Sequence, residues 1–374
     1  MRHPNKALFA ASLLSLVSAG TSACLSTAST TASDSGAGHE GGTTTLPDTG
    51  AVGSGDGAAS RADGKVSGTD APRSSDGSNV MVDGGTDSPV TTVDARAPAD
   101  GTATSRCTMT TSQISCTQQT FTITTPAGSD PEAGTTFPSY SRVVIYQVPL
   151  GTAPAAGWPT VFMFQGSFLS AALTFSGMSD EDFGLYYQAG VVKMLLDAGY
   201  AVLAPEALES GDTYWQTNIS PYAADWTGSP DDLLMQAMFT DIKNGTFGPL
   251  DATTLFATGI SSGGYMSSRM AVSYVGKFKA LAIESGAYAT CLSGESAVTG
   301  GMCTVPTLSA SHPPTLFLHG TEDMVIVPEW TVTAYETALK AASVPYKEVD
   351  DANSGHQWIP EAPAAVLAWF QTYK

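Results

Sequence analysis

Between Leu25 and Ser105 the chain has no aromatic residue, whereas Arg106–Lys374 holds 32 of its 33. This partition constrains folding more than any motif does. The aromatic-free stretch is mostly Ser, Thr, Gly, Ala and Asp, with nine large aliphatic residues in 81. So little apolar surface cannot offset the entropy of ordering the backbone, and residues 24–105 are expected to be a disordered linker. Its 4 basic and 11 acidic residues make it self-repelling. As a flexible coil its ends would lie on the order of 50 Å apart. The series Asp56, Asp63, Asp70, Asp76 and Asp83 lacks the alternating oxygen ligands of a calcium loop, so it reads as solvated spacer. The core must come from the 269 residues of Arg106–Lys374, a size suited to one α/β domain.

Residues 1–23 read as an address. Arg2 and Lys6 precede a short apolar run, Ala7–Val17, followed by small residues, which is the pattern of a secretory signal. The run is too short to span a bilayer. Ser18-Ala-Gly-Thr-Ser-Ala-Cys24 resembles a bacterial lipobox, with Thr21 where Leu is usual. Lipidation at Cys24 would anchor the protein to the outer membrane, and no other membrane contact is expected. Cleavage near Ala23 with free secretion is the alternative. Five cysteines leave at least one unpaired within the chain, and a lipidated Cys24 would account for it. Lys+Arg 16 against Asp+Glu 35 gives a net charge of −19, which repels polyphosphate and excludes nucleic acid as an expected partner.

Within the folded part, apolar runs alternate with helical patterns. Strands are expected at Arg142–Val148, Thr160–Gln165, Ala201–Ala204, Leu255–Gly259, Ala280–Glu284, Thr315–His319 and Tyr346–Val349. Helices are expected at Tyr186–Ala198, Asp231–Asn244, Gly264–Val275, Glu329–Ala342 and Glu361–Thr372. This alternation predicts a mainly parallel sheet flanked by helices. Cys107 lies near Cys116 in sequence, and Cys291 near Cys303. In an oxidising compartment two local disulfides are the natural pairing, although four cysteines permit three connectivities. No histidine stands at ligand spacing from either pair, and no metal site or cofactor is expected.

The sharpest motif is Gly259-Ile260-Ser261-Ser262-Gly263. G-x-S-x-G alone is weak in a chain with 38 glycines, but here strand-like Thr254–Thr258 precedes it and a helix-like run follows. A tight strand-to-helix turn lifts a serine oxygen above the sheet edge, which makes Ser261 the candidate nucleophile. A serine needs a base. In α/β-hydrolases the acid and then the histidine follow the serine in chain order. His356, in the loop Asn353–Trp358, is the candidate base; His319 is expected to support a loop and His312 to be structural. Asp323, after the strand ending at Gly320, is preferred to Glu322 as the acid that orients the histidine. The backbone N–H groups of Ser262 and Ser167 are the candidate oxyanion donors, with Phe168 next. Gln165 is expected to orient the Ser167 loop. Phe168 and Trp215, with Tyr214 and Tyr222, are candidates to line an apolar cleft for acyl chains.

Several segments then resemble the extracellular medium-chain-length polyhydroxyalkanoate depolymerases. These are Phe164-Gln-Gly-Ser-Phe168, Tyr214-Trp-Gln-Thr-Asn-Ile219, Phe247-Gly-Pro-Leu250, Ala257-Thr-Gly-Ile-Ser-Ser-Gly-Gly-Tyr265, Ser268-Arg-Met-Ala-Val-Ser273, Gly286-Ala-Tyr-Ala-Thr-Cys291 and Pro313-Pro-Thr-Leu-Phe-Leu-His-Gly320. The similarity covers nearly all of Cys107–Lys374. It implies a secreted α/β-hydrolase that cuts ester bonds in hydrophobic polyesters of 3-hydroxy fatty acids, with its catalytic motifs on Ser261, Asp323 and His356. The family's cysteine pairs also fall near those here. The long linker and the lipobox-like run depart from the family pattern. Two other readings stay open: an esterase acting on acylated sugars or phenolic esters, and a non-catalytic surface binding protein, whose hallmark would be loss of a catalytic residue.

Overall fold

A computed structural model describes residues 104–129, 136–208, 214–218, 222–291 and 303–374. The expected signal, Cys24 and all but the end of the expected linker lie outside the described residues.

The antiparallel pair β1 (Cys107–Met109) and β2 (Gln113–Cys116) is closed by a Cys107–Cys116 disulfide. Strand β3 (Gln119–Thr125) leads through the short pair β4 (Gly128–Ser129) and β5 (Thr136–Phe137) to β6 (Tyr140–Gln147). Then come β7 (Trp158–Phe164), β8 (Ser176–Met178), helix α1 (Leu185–Asp197), β9 (Ala201–Pro205) and α2 (Pro230–Asn244). Strand β10 (Leu250–Ile260), α3 (Ser262–Ser273), β11 (Phe278–Glu284), β12 (Thr315–Gly320), α4 (Val332–Ala341), β13 (Tyr346–Asp351) and α5 (Ala362–Thr372) complete the order. The second disulfide joins Cys291 and Cys303.

Eight strands form one sheet in the order β13-β12-β11-β10-β7-β9-β6-β3. Neighbours from β13 to β9 run parallel, and β6 and β3 add an antiparallel edge. This is the mainly parallel sheet of an α/β-hydrolase. Its central strand explains why: from Pro159 onward β7 is buried at every position, as a strand covered on both faces must be. Alternation sends Phe162 and Phe164 into one core with α2, α3 and α4, and Val161 and Met163 into the other with α1 and α5. Beyond β7 the chain crosses to β9 on one side; beyond β10 it crosses to β11 on the other. The loops after these two adjacent strands therefore part, leaving the crevice where open α/β sheets bind ligands.

The elements differ from expectation mainly at polar positions. Strand β10 starts at Leu250, before the expected Leu255, and pairs irregularly with β7 between those residues. The Thr-rich edge strand β3 and the short strands around it were not expected; they bury few residues and carry little apolar pattern. The helix expected from Glu329 begins instead at Val332, because Pro328–Trp330 forms a separate 3-10 turn and Thr331 leaves helical geometry at φ −121° and ψ −65°.

Candidate active site

Ser261 sits between β10 and α3 with φ 55° and ψ −121°, a conformation that costs a side-chain-bearing residue about 1–3 kcal/mol. The surroundings hold it there. Its N–H donates to Glu284 O at 3.0 Å, and its carbonyl accepts from Tyr265 N at 3.0 Å. Both flanking glycines are sterically required. A Cβ on Gly263 would stand 2.0 Å from Phe164 O, and one on Gly259 would stand 2.5 Å from the same oxygen. The turn is thus pressed against the end of β7. Ser262, the first residue of α3, has no intrahelical acceptor for its amide, and the helix N-terminus favours negative charge there.

The opposite wall is the loop after β7. A turn closed by Leu169 N to Gly166 O at 3.3 Å puts Phe168 at φ 65°. The Ser167 amide lies within this turn and is not consumed by it. Gln165 clamps the loop: its side-chain amide donates to Leu169 O, and its Oε1 accepts from Ala207 N at 3.2 Å. Gly166, Ser167, Phe168 and Leu169, with Ile260, Ser261, Phe183 and His356, line one small cavity.

His356 is brought to Asp323 by the loops after β12 and β13. Thr321 N donates to Asp351 O and Glu322 N to Ser354 O, each at 3.0 Å. A Cβ on Gly320 would lie 2.2 Å from Ser354 O, so glycine permits this close crossing. His356 Nδ1 lies 2.8 Å from Asp323 Oδ2. An ionised carboxylate only accepts, so the proton sits on Nδ1 and Nε2 is left basic. Asp323 Oδ1 accepts from Val325 N at 2.8 Å and Ile326 N at 2.9 Å. Burial alone would push this carboxyl up. The charges and hydrogen bonds of His356 and His319 outweigh it and hold Asp323 well below the usual carboxylate range. Glu322, by contrast, is exposed.

The other two histidines of the domain act differently. His319 Nε2 lies 2.7 Å from Ile326 O and 3.1 Å from Asp323 Oδ2, so it donates and braces the same carboxylate. Its strand-end position is legible in the sequence, and this contact is not. His312 Nδ1 donates to Pro313 O at 2.8 Å while its Nε2 accepts from Tyr335 OH at 2.8 Å, a satisfied buried ring.

The expected acyl-cleft aromatics require correction. Trp215 is fully buried, with 0% of its surface exposed, and it does not line the cavity. Its ring packs edge-on against Phe164 at 5.2 Å, lies under the Arg142 guanidinium at 5.3 Å, and donates from Nε1 to Gln165 O at 3.0 Å. Arg142 is itself fixed by Asp231 at 2.6 Å, whose other oxygen accepts from Gln216 N at 2.8 Å. The ring is scaffold behind the site. The Ser262 side chain is engaged in the scaffold, since its Oγ accepts from Trp215 N at 2.9 Å. Of the aromatics expected in an acyl cleft, Phe168 lines the cavity and Tyr214 and Tyr222 do not. Phe183 lines it unexpectedly, from a turn that carries no motif. Among the described residues no group of three or more His, Cys, Asp or Glu could hold a metal ion.

No protein-family model matches the chain. Among solved structures, an S-formylglutathione hydrolase from Agrobacterium tumefaciens aligns with a TM-score of 0.46 and 15% identity, covering 71% of this chain and 98% of its own. A truncated carbohydrate esterase from gut microbiota aligns with a TM-score of 0.44 and 13% identity, over 68% and 96% of the two chains. The sequence relationship is much nearer. A poly(3-hydroxyoctanoate) depolymerase from Pseudomonas fluorescens is 47% identical over 233 residues, which is 62% of this chain and 80% of the relative. Identity at that level, over that much of the relative, means that the chain belongs to the polyhydroxyalkanoate depolymerase family.

Proposed function

We propose that this protein is a serine esterase that hydrolyses hydrophobic polyesters, with medium-chain-length poly(3-hydroxyalkanoates) or their oligomers as substrates. The observation that carries this reading is the 2.8 Å contact of His356 Nδ1 with the Asp323 carboxylate, beside a cavity lined by both His356 and Ser261. In this mechanism His356 Nε2 takes the Ser261 proton as Oγ attacks the ester carbonyl. The amides of Ser262 and Ser167 hold the oxyanion, and Phe168 contacts the acyl group. His356 then returns the proton to the leaving alkoxide. Water, deprotonated by the same nitrogen, attacks the acyl-enzyme and frees Ser261. Asp323, kept ionised by two imidazoles and two amides, fixes the tautomer and stabilises the imidazolium. The 47% identity to a poly(3-hydroxyoctanoate) depolymerase supports the substrate class.

Export belongs to the same reading. The Cys107–Cys116 and Cys291–Cys303 disulfides suit an oxidising compartment. Residues 1–23 would direct export, and Cys24 would carry the lipid that keeps the enzyme at the cell surface.

The direct test is Ser261→Ala assayed on p-nitrophenyl octanoate and on a polyester emulsion. Loss of kcat/KM by at least about 10⁴-fold, with the melting temperature preserved, is expected. Retained activity would assign the chemistry elsewhere.

A further inference from the structure

The cavity at Ser261 has about 10 Å³ of interior room, which is space for a single water. The cavity is open to solvent on one side, and its walls set what fits against Ser261. Most of them are fixed by the machinery itself. Ile260 and Leu169 are buried, and a Cβ on Gly166 would already press on Ile260 at 3.3 Å. The turn that carries Phe168 is held at Leu169 O by the Gln165 side chain, which Ala207 N anchors in its place.

Phe183 differs from these walls. It comes from the 3-10 turn Asp182–Gly184, which forms neither the oxyanion loop nor the nucleophile turn. Its backbone is nevertheless held. Phe183 has φ 60°, its carbonyl accepts from Trp358 N at 3.0 Å, and a Cβ on the following Gly184 would stand 2.3 Å from Trp358 O. A non-glycine residue with positive φ costs free energy and persists where its surroundings over-determine it. Here the surroundings are the end of the loop that carries His356. The backbone therefore aims the ring while the ring itself stays partly exposed. Phe168, at φ 65°, lines the same cavity. Two aromatic rings on left-handed backbone thus take part in walling the slot that holds Ser261 and His356.

We propose that Phe183 is a specificity-determining residue that limits the girth of the acyl group presented to Ser261, admitting chains unbranched next to the carbonyl and rejecting those branched there. This rests on Ser261 acting as the nucleophile. A steric wall predicts a graded response to side-chain volume. A residue that merely supports the His356 loop through its backbone predicts no change in selectivity, because every variant keeps the carbonyl that accepts from Trp358 N.

The experiment compares kcat/KM for p-nitrophenyl octanoate and p-nitrophenyl pivalate in the full-length protein and in Phe183→Leu, Phe183→Ala, Phe183→Gly and Phe183→Trp. The pivalate-to-octanoate ratio should rise by about tenfold in Phe183→Ala, which is the scale on which small changes in pocket volume discriminate substrates. Phe183→Leu should rise less, and Phe183→Trp should fall below the wild type. Phe183→Gly also removes the ring but tolerates the positive φ, so it should match Phe183→Ala even if Phe183→Ala is less stable. A ratio within twofold of the wild type across the series, or rates that fall equally for both esters, would overturn the proposal. The Ser261→Ala result separates this outcome from failure of the esterase reading: with Ser261→Ala inactive and the Phe183 ratios flat, only the girth proposal fails.

Discussion

Truncating Trp215 separates a structural role for the ring from contact with an acyl chain. The ring is fully enclosed, with Phe164 at 5.2 Å, the Arg142 cation at 5.3 Å and a hydrogen bond from Nε1 to Gln165 O at 3.0 Å. Removing such a side chain to alanine costs about 3–5 kcal/mol from lost burial and the cavity left behind. In a domain of this size that lowers the melting temperature by on the order of 10 °C. The activity pattern follows from the neighbours. The Trp215 ring bonds to the carbonyl of Gln165, whose side chain holds the Ser167 loop, while its backbone N–H, kept in the variant, bonds to Ser262 Oγ beside Ser261. Rates should therefore fall by a similar factor for acetyl, butyl and octanoyl esters, since the damage is to positioning and no acyl contact is lost. Trp215→Phe keeps part of the ring but leaves Gln165 O without its donor, so it should cost about 1–3 kcal/mol, less than Trp215→Ala. Thermal melts and p-nitrophenyl esters of graded length read both effects. A Trp215→Ala protein that melts within about 2 °C of the wild type and loses activity on long chains alone would refute the argument.

Two further expectations are independent of that one. Glu284 is fully buried at the end of β11, and burial pushes its carboxyl well above the ordinary value of 4.5; Asp323 and Glu361 add to the rise, and the nearby Ile359 amide offsets it only in part. The unfolded chain releases this proton above about pH 4.5 while the folded chain retains it, so stability falls as pH rises, at about 1.4 kcal/mol per pH unit until the raised folded-state pKa is passed. Glu284→Gln has no proton to lose, and its advantage over the wild type in urea unfolding should grow from pH 5 to pH 8; a constant difference would show that Glu284 does not titrate between the two states. Cys24→Ala, expressed in a bacterial host, should leave the membrane fraction that retains the wild type, and equal release of both proteins would remove the anchor from the proposal.

What could be read from the sequence, and what could not, divides by the range of the contacts involved. Ser261 and Asp323 could be singled out because each follows a strand whose apolar run is local, and His356 because chain order puts the histidine after the acid; its strand β13 is polar and gave no such signal. The buried run of β7 was equally plain, since a strand covered on both faces needs no partner to announce itself. Trp215 and Phe183 show the opposite case. Both are aromatics in irregular segments, and nothing nearby says which one faces the core. Trp215 is turned inward by the Arg142 cation and by the carbonyl of Gln165, 50 residues earlier in the chain, to which its Nε1 donates. Phe183 is turned to the cavity by Trp358, across most of the folded chain. The same holds for His319: its strand-end position was legible, but its bond to Asp323 depends on the path of the loop after β12. Composition distinguishes an aromatic-rich domain from an aromatic-poor linker. It cannot distinguish an aromatic that holds the catalytic loops from one that meets the substrate, because both satisfy the same burial rule and differ only in whether the far side of the ring meets protein or the open slot.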